Sequence, residues 1–410
     1  MMKYPKRLDT IFNKLYENNI TPVIVGGYVR DKFLGIDSND IDIELYGISS
    51  LDEVEKILEE FGDVNSVGKS FGVCKLLYEG LDLDFSLPRE DTKITSGHQG
   101  FHINIDHHLD FKTAASRRDF TINAMGYDVK AKQLLDPFGG KEDIQNKKLR
   151  AVDNTKFAQD PLRVLRGVVF ASRFEMKLES SLELICKEMI QNRLLDELPK
   201  ERIFDEMKKL LLKSKKPSKG FYLLKKLGGF LYFQEFTALS AQAYESVLSA
   251  VDELKTCCSL DERTFIVLAL AVLTSELTQA QTTNFLQRMT NEKKIIKKVL
   301  LLHEIDFSLE SFNDYDLYLL SINIDIEFYS HYLHVTQKKD VQALYNRAKE
   351  LHILHRPSPP LLEGKDLIRL GLQPSKEFSQ ILQKSYEAQL RYNFKDKDSV
   401  LQWLKKELLI

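Results

Sequence analysis

The chain has 410 residues, of which 43% are hydrophobic and 29% charged, and its formal net charge is −2. This length and composition predict a globular protein with two or more domains. A charge so close to neutral excludes a uniformly basic nucleic-acid-binding protein, so any contact with nucleic acid must come from local patches.

The sequence contains no segment that predicts a membrane span. The N-terminal sequence MMKYPKRLDT has no apolar segment, and the chain has no long run of uncharged apolar residues. We therefore expect a protein that is neither secreted nor membrane-spanning. None of the four cysteines forms a C-x-x-C pair, which argues against a zinc ribbon and favours a reduced, cytoplasmic protein.

The first strong pattern is VIVGGYVRDKFLGIDSNDIDIELY at residues 23–46, which a predicted helix over residues 8–18 precedes. Its β-branched start predicts a buried strand, and Gly26 and Gly27 then end the strand and open a helix near Tyr28. Paired glycines let the backbone approach a ligand closely, and a helix N-terminus offers unpaired N–H groups to phosphate. By itself, such a glycine pair is usually only a turn.

Asp40 and Asp42 belong to an alternating segment over residues 40–44. In a strand both carboxylates point to one face, while Ile41 and Ile43 point to the other. Two carboxylates at this spacing suit a hard divalent cation such as Mg²⁺, although D-x-D is also common on solvent-facing strands. The glycine pair and the carboxylate pair together indicate nucleotide chemistry.

The following elements predict a third carboxylate. Ser50 is placed to cap a helix over residues 51–61, and residues 66–79 alternate as hairpin strands. Residues 81–87 form another alternating strand, in which Asp82 and Asp84 share the polar face. Three acidic ligands would complete a two-metal phosphoryl-transfer site. We expect Asp84 to be the third, because Asp82 is nearer the strand start and solvated.

Residues 88–108 are polar and rich in histidine. Zinc binding is disfavoured because the segment lacks cysteine and its spacing fits no common structural zinc site. We expect a mobile loop over the active site instead. The histidines are His98, His102, His107 and His108.

A second dense motif, RRDFTINAM, covers residues 117–125. The guanidinium groups of Arg117 and Arg118 match the geometry of a triphosphate, and Asp119 and Asn123 can hydrogen-bond ribose hydroxyls. Taken alone, the motif is better explained as a surface salt-bridge cluster. Residues 136–143 then read as a turn that ends the sheet-bearing part, and no convincing strand follows.

The remaining pattern is helical. Asp160 is placed to cap a helix with proline in its first turn, and Arg163 and Arg166 lie on the same face as Asp160. Without further context, a capped helix with an ordinary ion pair explains these residues. We expect another helix over 199–212 and seven more between 243 and 351. Lysine-rich strips within 206–226 and 293–298 are candidates for phosphate contacts along RNA.

The succession G-G-x-V-R-D, D-x-D and R-R-D-F-T-I-N-A resembles the signature of the class II nucleotidyltransferases, which are tRNA CCA-adding enzymes and bacterial poly(A) polymerases. The segments at 136–143, 160–163, 201–203 and 362–382 resemble later motifs of that family. The resemblance implies an α+β fold, with an N-terminal mixed β-sheet nucleotidyltransferase head followed by an all-α neck, body and tail. We expect a catalytic head over 1–145, a neck with the base-selecting helix over 146–230, a body over 231–355 and a tRNA-binding tail over 356–410.

The resemblance also implies the roles of individual residues. The catalytic and metal-binding residues would be Asp40, Asp42 and Asp84. The nucleotide-binding residues would be Gly26, Gly27 and Arg30 at the phosphates, Arg118, Asp119 and Asn123 at the triphosphate and ribose, and Asp160, Arg163 and Arg166 on the base-selecting helix. Gln159 stands where the family usually has Glu, and an amide would orient Arg163 more weakly than a carboxylate.

The activity that the resemblance implies is template-independent addition of CCA to tRNA 3′ ends, by two-metal nucleotidyl transfer from CTP and ATP with release of pyrophosphate. The expected partners are the acceptor arm of tRNA, CTP and ATP, with neither DNA nor a membrane. The ample loop between Asp84 and Arg117 favours full CCA addition. The alternatives are a CC-adding enzyme, an A-adding enzyme, a poly(A) polymerase and a catalytically inactive RNA-binding relative.

No His-Asp dipeptide occurs, so a second phosphohydrolase activity is not expected, and residues 231–355 predict no function of their own.

Overall fold

The computed structural model describes residues 2–65, 72–93, 101–106, 109–257, 260–337, 340–374 and 376–407, with the backbone alone at 91–93 and 101–105. The chain divides into two compact units. The first unit comprises Met1–Ser240 and Asn284–Asn291, and the second comprises Ala241–Thr283 and Glu292–Ile410. The four-part domain division expected from the sequence stays a prediction.

The strands all lie in the first unit, as far as the described residues show. In chain order they are β1 (Thr21–Val25), β2 (Asp40–Tyr46), β3 (Val64–Asn65), β4 (Val73–Tyr78), β5 (Leu81–Ser86), β6 (Arg89–Lys93), β7 (Phe101–Ile105), β8 (Gly126–Asp128), β9 (Gln133–Leu135), β10 (Lys148–Leu149) and β11 (Lys177–Leu178).

The helices account for most of the rest of the described chain. They are α1 (Leu8–Glu17), α2 (Gly27–Phe33), α3 (Leu51–Leu58), α4 (Phe111–Ala115), α5 (Gly140–Gln145), α6 (Asn154–Phe157), α7 (Leu162–Phe174), α8 (Ser180–Gln191), α9 (Lys200–Lys213), α10 (Ser218–Lys226), α11 (Ala241–Cys257), α12 (Glu262–Leu273), α13 (Gln279–Met289), α14 (Lys293–Glu304), α15 (Asp314–Asn323), α16 (Ile326–Gln337), α17 (Gln342–Glu350), α18 (Gly364–Arg369), α19 (Glu377–Arg391) and α20 (Lys397–Glu407).

The main sheet has seven strands in the order β3-β4-β5-β2-β1-β8-β9. Only β2 and β5 run parallel, and the other neighbours are antiparallel. The side chains of Ile41 and Ile43 are fully buried, as the alternation predicted. Helix α3 begins as predicted, because the Ser50 hydroxyl accepts a hydrogen bond from the Asp52 N–H. The predicted fold class, a mixed-sheet head followed by a helical remainder, is confirmed.

Residues 88–108 differ from the predicted loop. Strands β6 and β7 form an antiparallel pair, with Arg89 opposite Ile105 and Thr92 opposite His102. The sequence FHINI at 101–105 alternates apolar and polar residues, which is a strand signal. The glycines and histidines of the segment outweighed this signal in the prediction. Residues 94–100, 107 and 108, which include three of the four histidines, lie outside the described residues.

Two further expectations for the first unit were wrong. The segment read as a turn at 136–143 leads into helix α5, which begins at Gly140. Two short strands also follow it, since β10 and β11 pair in parallel. Each of these strands has two residues, which is too short for any periodic sequence pattern to show.

The regular elements of the second unit are all helices, as far as its described residues show. All seven helices expected between 243 and 351 are present as α11 to α17, with their ends shifted by a few residues. Every residue from Phe265 to Leu273 in α12 is buried, so this helix forms the centre of the unit. A smaller apolar cluster near the C-terminus is centred on Leu362, Leu367, Val400 and Leu404.

Two general properties bear on the sequence-based expectations. Among the described residues, the helices are all too short or too polar to cross a membrane. Cys74 and Cys186 are buried free thiols and Cys257 is an exposed free thiol. Cys258 lies outside the described residues.

Candidate active site

The three carboxylates predicted to hold metal lie on neighbouring strands. In the parallel pairing of β2 with β5, Asp42 is opposite Asp84 and Asp40 is opposite Asp82. Asp40 and Asp82 are exposed, whereas Asp42 and Asp84 are half-buried. Because the alternate residues of β2 are buried in the core, the acidic side chains share the polar face of the sheet. The structure therefore places Asp40, Asp42 and Asp84 on one face of the sheet, on two neighbouring strands.

These carboxylates repel one another. Burial raises the pKa of Asp42, and the negative charges of Asp40 and Asp84 raise it further, although Arg118 opposes this effect. Burial and Asp84 likewise raise the pKa of Asp40, whereas Lys75 lowers it. A hard divalent cation would relieve this repulsion, and carboxylate oxygens are the ligands that such a cation prefers. The donor chemistry of the site therefore fits a divalent metal ion.

Lys75 on β4 takes part in this acidic site and was missed by the sequence analysis. It is opposite Asp84 in the antiparallel pairing of β4 with β5. Its ammonium group donates to both carboxylate oxygens of Asp84, at 2.9 and 2.7 Å. Consistent with this pairing, no group of three His, Cys, Asp or Glu side chains in the described ranges is arranged around one metal position. Only the strand register could have shown that Lys75 meets Asp84.

Gly26 lies between β1 and α2, beside Asp42 and Arg118. Its φ is +72°, which favours glycine, and an added Cβ would lie 2.5 Å from Nη1 of Arg118 and 3.3 Å from Oδ2 of Asp42. The glycine therefore leaves space between the carboxylates and the arginine that a side chain would fill. Gly27 begins α2, which has seven residues.

Arg118 is the cation above this space. Burial lowers the pKa of its guanidinium, and the neighbouring Arg117 adds to the effect, while Glu44 and Asp42 oppose it. Arg117 pairs with Glu44 at 3.4 Å. Within the described residues, by contrast, the guanidinium of Arg118 forms no ion pair and donates no hydrogen bond. A guanidinium held without such a partner beside Asp42 suits an anionic ligand.

The other predicted nucleotide-binding residues of the head lie in a buried hydrogen-bonded network. Asp119 accepts hydrogen bonds from Nε of Arg166 at 2.7 Å and from the Asn123 amide at 2.9 Å. Nη1 of Arg30 donates to Oδ1 of Asn123 at 2.6 Å. Burial alone would raise the pKa of Asp119, but the Arg166 charge and the Asn123 hydrogen bond outweigh burial and lower the pKa.

Asp31 and Arg173 close this network. Arg30 donates from Nε to Asp31 at 2.8 Å, and its Nη2 lies 2.7 Å from the same carboxylate oxygen. Arg173, in the last turn of α7, lies 4.0 Å from the other oxygen of Asp31. We call the resulting set of six residues the polar ring: Arg30, Asp31, Asp119, Asn123, Arg166 and Arg173.

Two phenylalanines of α7 cover the arginines of the polar ring. The guanidinium of Arg30 lies 5.3 Å from the ring centroid of Phe170 and 4.7 Å from that of Phe174. Arg166 lies over Phe170 at 5.3 Å, and Arg173 lies over Phe174 at 4.7 Å. Each phenyl ring thus contacts two arginines, an arrangement in which cation–π attraction adds to the hydrogen bonds. Asp31, Arg173, Phe170 and Phe174 had no predicted role.

The predicted base-selecting residues lie at the start of α7. Oδ1 of Asp160 accepts a hydrogen bond from the Leu162 N–H at 3.1 Å, so Asp160 caps the helix as expected. Its other oxygen lies 3.7 Å from Arg202 on α9. Arg163 donates to the backbone carbonyl of Lys156 at 3.0 Å and to that of Arg117 at 2.7 Å. Arg163 is thus fixed directly to the segment that carries Arg118.

The two lysine-rich strips differ in their partners. In the first strip four lysines form ion pairs with carboxylates of the same unit: Lys208, Lys209, Lys219 and Lys226. In the second unit, Lys294, Lys297 and Lys298 line a cavity of about 630 Å³ together with Arg263. Among the described residues, these four cations form no ion pair.

Comparison with protein families supports this reading of the first unit. Residues 23–150 match the poly A polymerase head domain, and residues 175–239 match the family described as a probable RNA and SrmB- binding site of polymerase A. The first region contains the acidic site, and the second begins just after α7.

Curated relatives match about half of the chain. A multifunctional CCA protein of Neisseria gonorrhoeae is 34% identical over 205 residues, which are 50% of this chain and 47% of the relative. One from Haemophilus ducreyi is 34% identical over 224 residues, 53% of this chain and 52% of the relative. The chain thus spans about half the length of the curated relatives that it matches.

Solved structures match the whole chain in fold. A CCA-adding enzyme in complex with CTP has a TM-score of 0.72 and 22% identity, and the match covers 99% of this chain and 96% of that one. The Thermotoga maritima CCA-adding enzyme complexed with tRNA has a TM-score of 0.68 and 23% identity, with 99% and 97% covered.

The main sheet and the acidic strand pair lie in the region that matches the poly A polymerase head domain. The relatives and solved structures to which this chain is similar are multifunctional CCA proteins and CCA-adding enzymes.

Proposed function

We propose that this protein is a CCA tRNA nucleotidyltransferase, which adds CCA to the 3′ end of tRNA from CTP and ATP without a nucleic-acid template. The observation that carries the proposal is the arrangement of Asp40, Asp42 and Asp84 on one sheet face beside Arg118. The names of the relatives support the choice of tRNA, CTP and ATP as substrates. The free cysteines favour a cytoplasmic location.

In the proposed reaction, the 3′-hydroxyl of the tRNA attacks the α-phosphorus of the nucleotide. A new P–O bond forms as the bond to the β-phosphate breaks, and pyrophosphate leaves. Two Mg²⁺ ions held by Asp40, Asp42 and Asp84 would lower the pKa of the attacking hydroxyl and neutralise charge on the triphosphate. Arg118 binds the triphosphate and stabilises the charge that develops on the pyrophosphate. The absent side chains of Gly26 and Gly27 allow the phosphates to approach the strand.

Recognition of the base is assigned to α7. Asp160 and Arg163 stand at the start of this helix, and the two backbone carbonyls that accept from Arg163 hold its guanidinium against the segment that carries Arg118, the predicted triphosphate ligand. Asp119 and Asn123 stay predicted ribose contacts, although their polar atoms take part in the polar ring. Gln159 stands in place of the family's Glu and would orient Arg163 more weakly, which would reduce the discrimination between CTP and ATP.

Ordered incorporation tests the proposal directly. Purified protein with Mg²⁺ would receive tRNA transcripts that end before the tail, after C or after CC, with CTP alone, ATP alone or both. A full CCA-adding enzyme adds C, C and one A and then stops. Addition of CC alone, or of A alone to the CC-ended transcript, would mean that CCA addition requires a second enzyme. A long A ladder would identify a poly(A) polymerase, and no product with intact tRNA binding would identify an inactive RNA-binding relative.

A further inference from the structure

One row of residues crosses the main sheet at the acidic site. Lys75 on β4 is opposite Asp84 on β5, and Asp84 is opposite Asp42 on β2. Asp42 is in turn opposite Val25, the last residue of β1. Residues directly opposite each other share a face of the sheet, so the side chains of Lys75, Asp84 and Asp42 point to the same side. The carboxylates therefore lie between β1 and β4, whose backbones are roughly 14 Å apart at about 4.8 Å per strand.

The two ends of this row carry different cations. At the β1 end, Gly26 leaves space beside the guanidinium of Arg118, where the proposed function places the triphosphate. At the β4 end, the ammonium group of Lys75 donates to both oxygens of Asp84, at 2.9 and 2.7 Å. The side chain of Lys75 is 57% exposed, so its flexible stem can move without disturbing the core.

Lys75 supplies positive charge that the acidic site needs when it holds no metal ion. The hydrogen bond to Asp84 raises the pKa of Lys75, and the charges of Asp40 and Asp42 add to this effect, although burial opposes it. Once Asp84 holds a divalent cation, the ammonium group loses both of its acceptors and is repelled by the like charge. It then requires another anion within reach of β4.

The geometry of nucleotidyl transfer supplies such an anion. The attacking and leaving oxygens lie roughly in line, on opposite sides of the α-phosphorus. With the leaving pyrophosphate at the β1 end, beside Gly26 and Arg118, the attacking 3′-hydroxyl approaches from the side of β5 and β4. The first phosphate of the tRNA on that side is the phosphodiester that joins its last two nucleotides.

We propose that Lys75 is a further substrate-binding residue, whose ammonium group binds the last phosphodiester of the tRNA when Asp84 holds a metal ion. The inference rests on the proposed function, which it extends by assigning the β4 end of the acidic site to the tRNA. An ammonium group binds phosphate as a point charge and reads no base. The same contact would therefore form after each added nucleotide.

A tRNA with one altered phosphate tests this contact directly. In an RNA that ends after the first C, a methylphosphonate replaces the last phosphodiester and removes its negative charge. With saturating Mg²⁺ and CTP, we expect kcat/KM of the wild type to be about tenfold lower for this RNA than for the unmodified one, the effect of one charged hydrogen bond. Lys75→Gln should show this loss with the unmodified RNA and no further loss with the methylphosphonate, because both changes remove the same interaction. Additive losses in Lys75→Gln would overturn the proposal.

Two more variants separate this contact from a general effect on the protein. Lys75→Arg keeps the positive charge and should still distinguish the two RNAs. Lys14→Gln, which removes an ion pair with Glu60, is the matched control and should behave as the wild type does. In Lys75→Gln the KM for CTP should stay within about twofold of wild type, because the triphosphate lies at the β1 end. A raised KM for CTP with an unchanged response to the methylphosphonate would place Lys75 at the triphosphate and overturn the proposal.

Binding and incorporation separate this inference from the proposed function. Wild-type protein that binds tRNA but incorporates no nucleotide would refute the proposed function. Filter retention of the two RNAs in the presence of Mg²⁺ would still test the contact, because it requires no incorporation. We expect the wild type to retain the methylphosphonate RNA more weakly and Lys75→Gln to retain both RNAs equally. Equal retention of both RNAs by the wild type would overturn the inference.

Discussion

The cations of the polar ring have surroundings opposite to those of three lysines on α14, Lys294, Lys297 and Lys298, which we call the α14 strip. Arg30 is 6% exposed and all three of its guanidinium nitrogens lie at hydrogen-bonding distance from acceptors. Lys294, Lys297 and Lys298 are exposed and, among the described residues, form no ion pair. The first group belongs to the unit that carries the acidic site, and the second to the helical unit.

This difference indicates two uses of positive charge. A buried cation must be compensated by fixed partners, so it holds neighbouring groups in a defined geometry. An exposed cation is hydrated at little cost and acts through a field that extends over about a Debye length and weakens with salt. The charges of the first unit are therefore suited to positioning and chemistry, and those of the α14 strip to attracting the phosphate backbone of RNA.

Among the substitutions that test this comparison, the largest effect on activity is expected at the acidic site. Asp42→Asn removes a charge that would neutralise the metal ions, and we expect nucleotide incorporation to fall by about 10³-fold or more. Binding of tRNA, measured by filter retention, should change little. Asp82→Asn is the matched control, because Asp82 lies two residues before Asp84 on the same strand and is exposed. An Asp42→Asn variant that stays active would show that the metal-site assignment is wrong.

A smaller loss is expected when the space beside Arg118 is filled. In Gly26→Ala, the new Cβ would lie 2.5 Å from Nη1 of Arg118. We expect kcat/KM to fall on the order of 10- to 100-fold, since a displacement of about 1 Å has effects of this size. The positive φ should also lower the free energy of unfolding by about 1–2 kcal/mol.

Gly35→Ala separates the steric effect from the backbone effect of that substitution. Gly35 has a φ of +69°, but no atom lies within 4 Å of the Cβ that alanine would add. This variant should lose stability as Gly26→Ala does, while its kcat/KM stays close to wild type. Equal activity losses in the two variants would assign the effect to backbone strain and not to the displacement of Arg118.

Lys75 allows a test of a partly exposed charge inside the acidic site. Its ammonium group is paired with the Asp84 carboxylate, for which it would compete with a metal ion. An exposed ion pair contributes about 1 kcal/mol at most. In Lys75→Gln, we therefore expect Mn²⁺, used as a spectroscopic substitute for Mg²⁺, to bind about fivefold more tightly by electron paramagnetic resonance titration. Lys14→Gln, which removes the ion pair with Glu60, should leave Mn²⁺ binding unchanged. Weaker binding in Lys75→Gln would mean that Lys75 organises the metal site and does not compete with the metal.

The smallest effect is expected on the α14 strip. We expect the double variant Lys297→Gln/Lys298→Gln to weaken tRNA binding roughly threefold at low salt and to reduce the salt slope by about 1 per lysine. Incorporation at saturating tRNA should be unchanged. The control is Lys208→Gln/Lys219→Gln, whose lysines already pair with carboxylates. If both double variants weaken binding equally, ion pairing does not determine which lysines contact RNA.

Local sequence determined much of this protein. The alternation at 40–44 predicted the buried face of β2, Ser50 and Asp160 marked the starts of α3 and α7, and apolar periodicity located α11 to α17. These features depend on residues only a few positions apart, for which side-chain direction follows from the repeat of a helix or strand. The motifs also located the acidic residues and the arginines of the head before any geometry was known.

Tertiary structure decided how these residues are used. Arg30 meets Asn123 across 93 positions, Arg166 meets Asp119 across 47, and Lys75 meets Asp84 only because β4 and β5 pair in one register. A motif shows which residue types are present, but whether a guanidinium is free or compensated depends on the elements packed around it. Arg30 and Arg118 occur in equally recognisable motifs, yet burial among acceptors fixes Arg30, while the guanidinium of Arg118 has no hydrogen-bonding partner among the described residues. That difference arises from packing between distant segments, which no local pattern encodes.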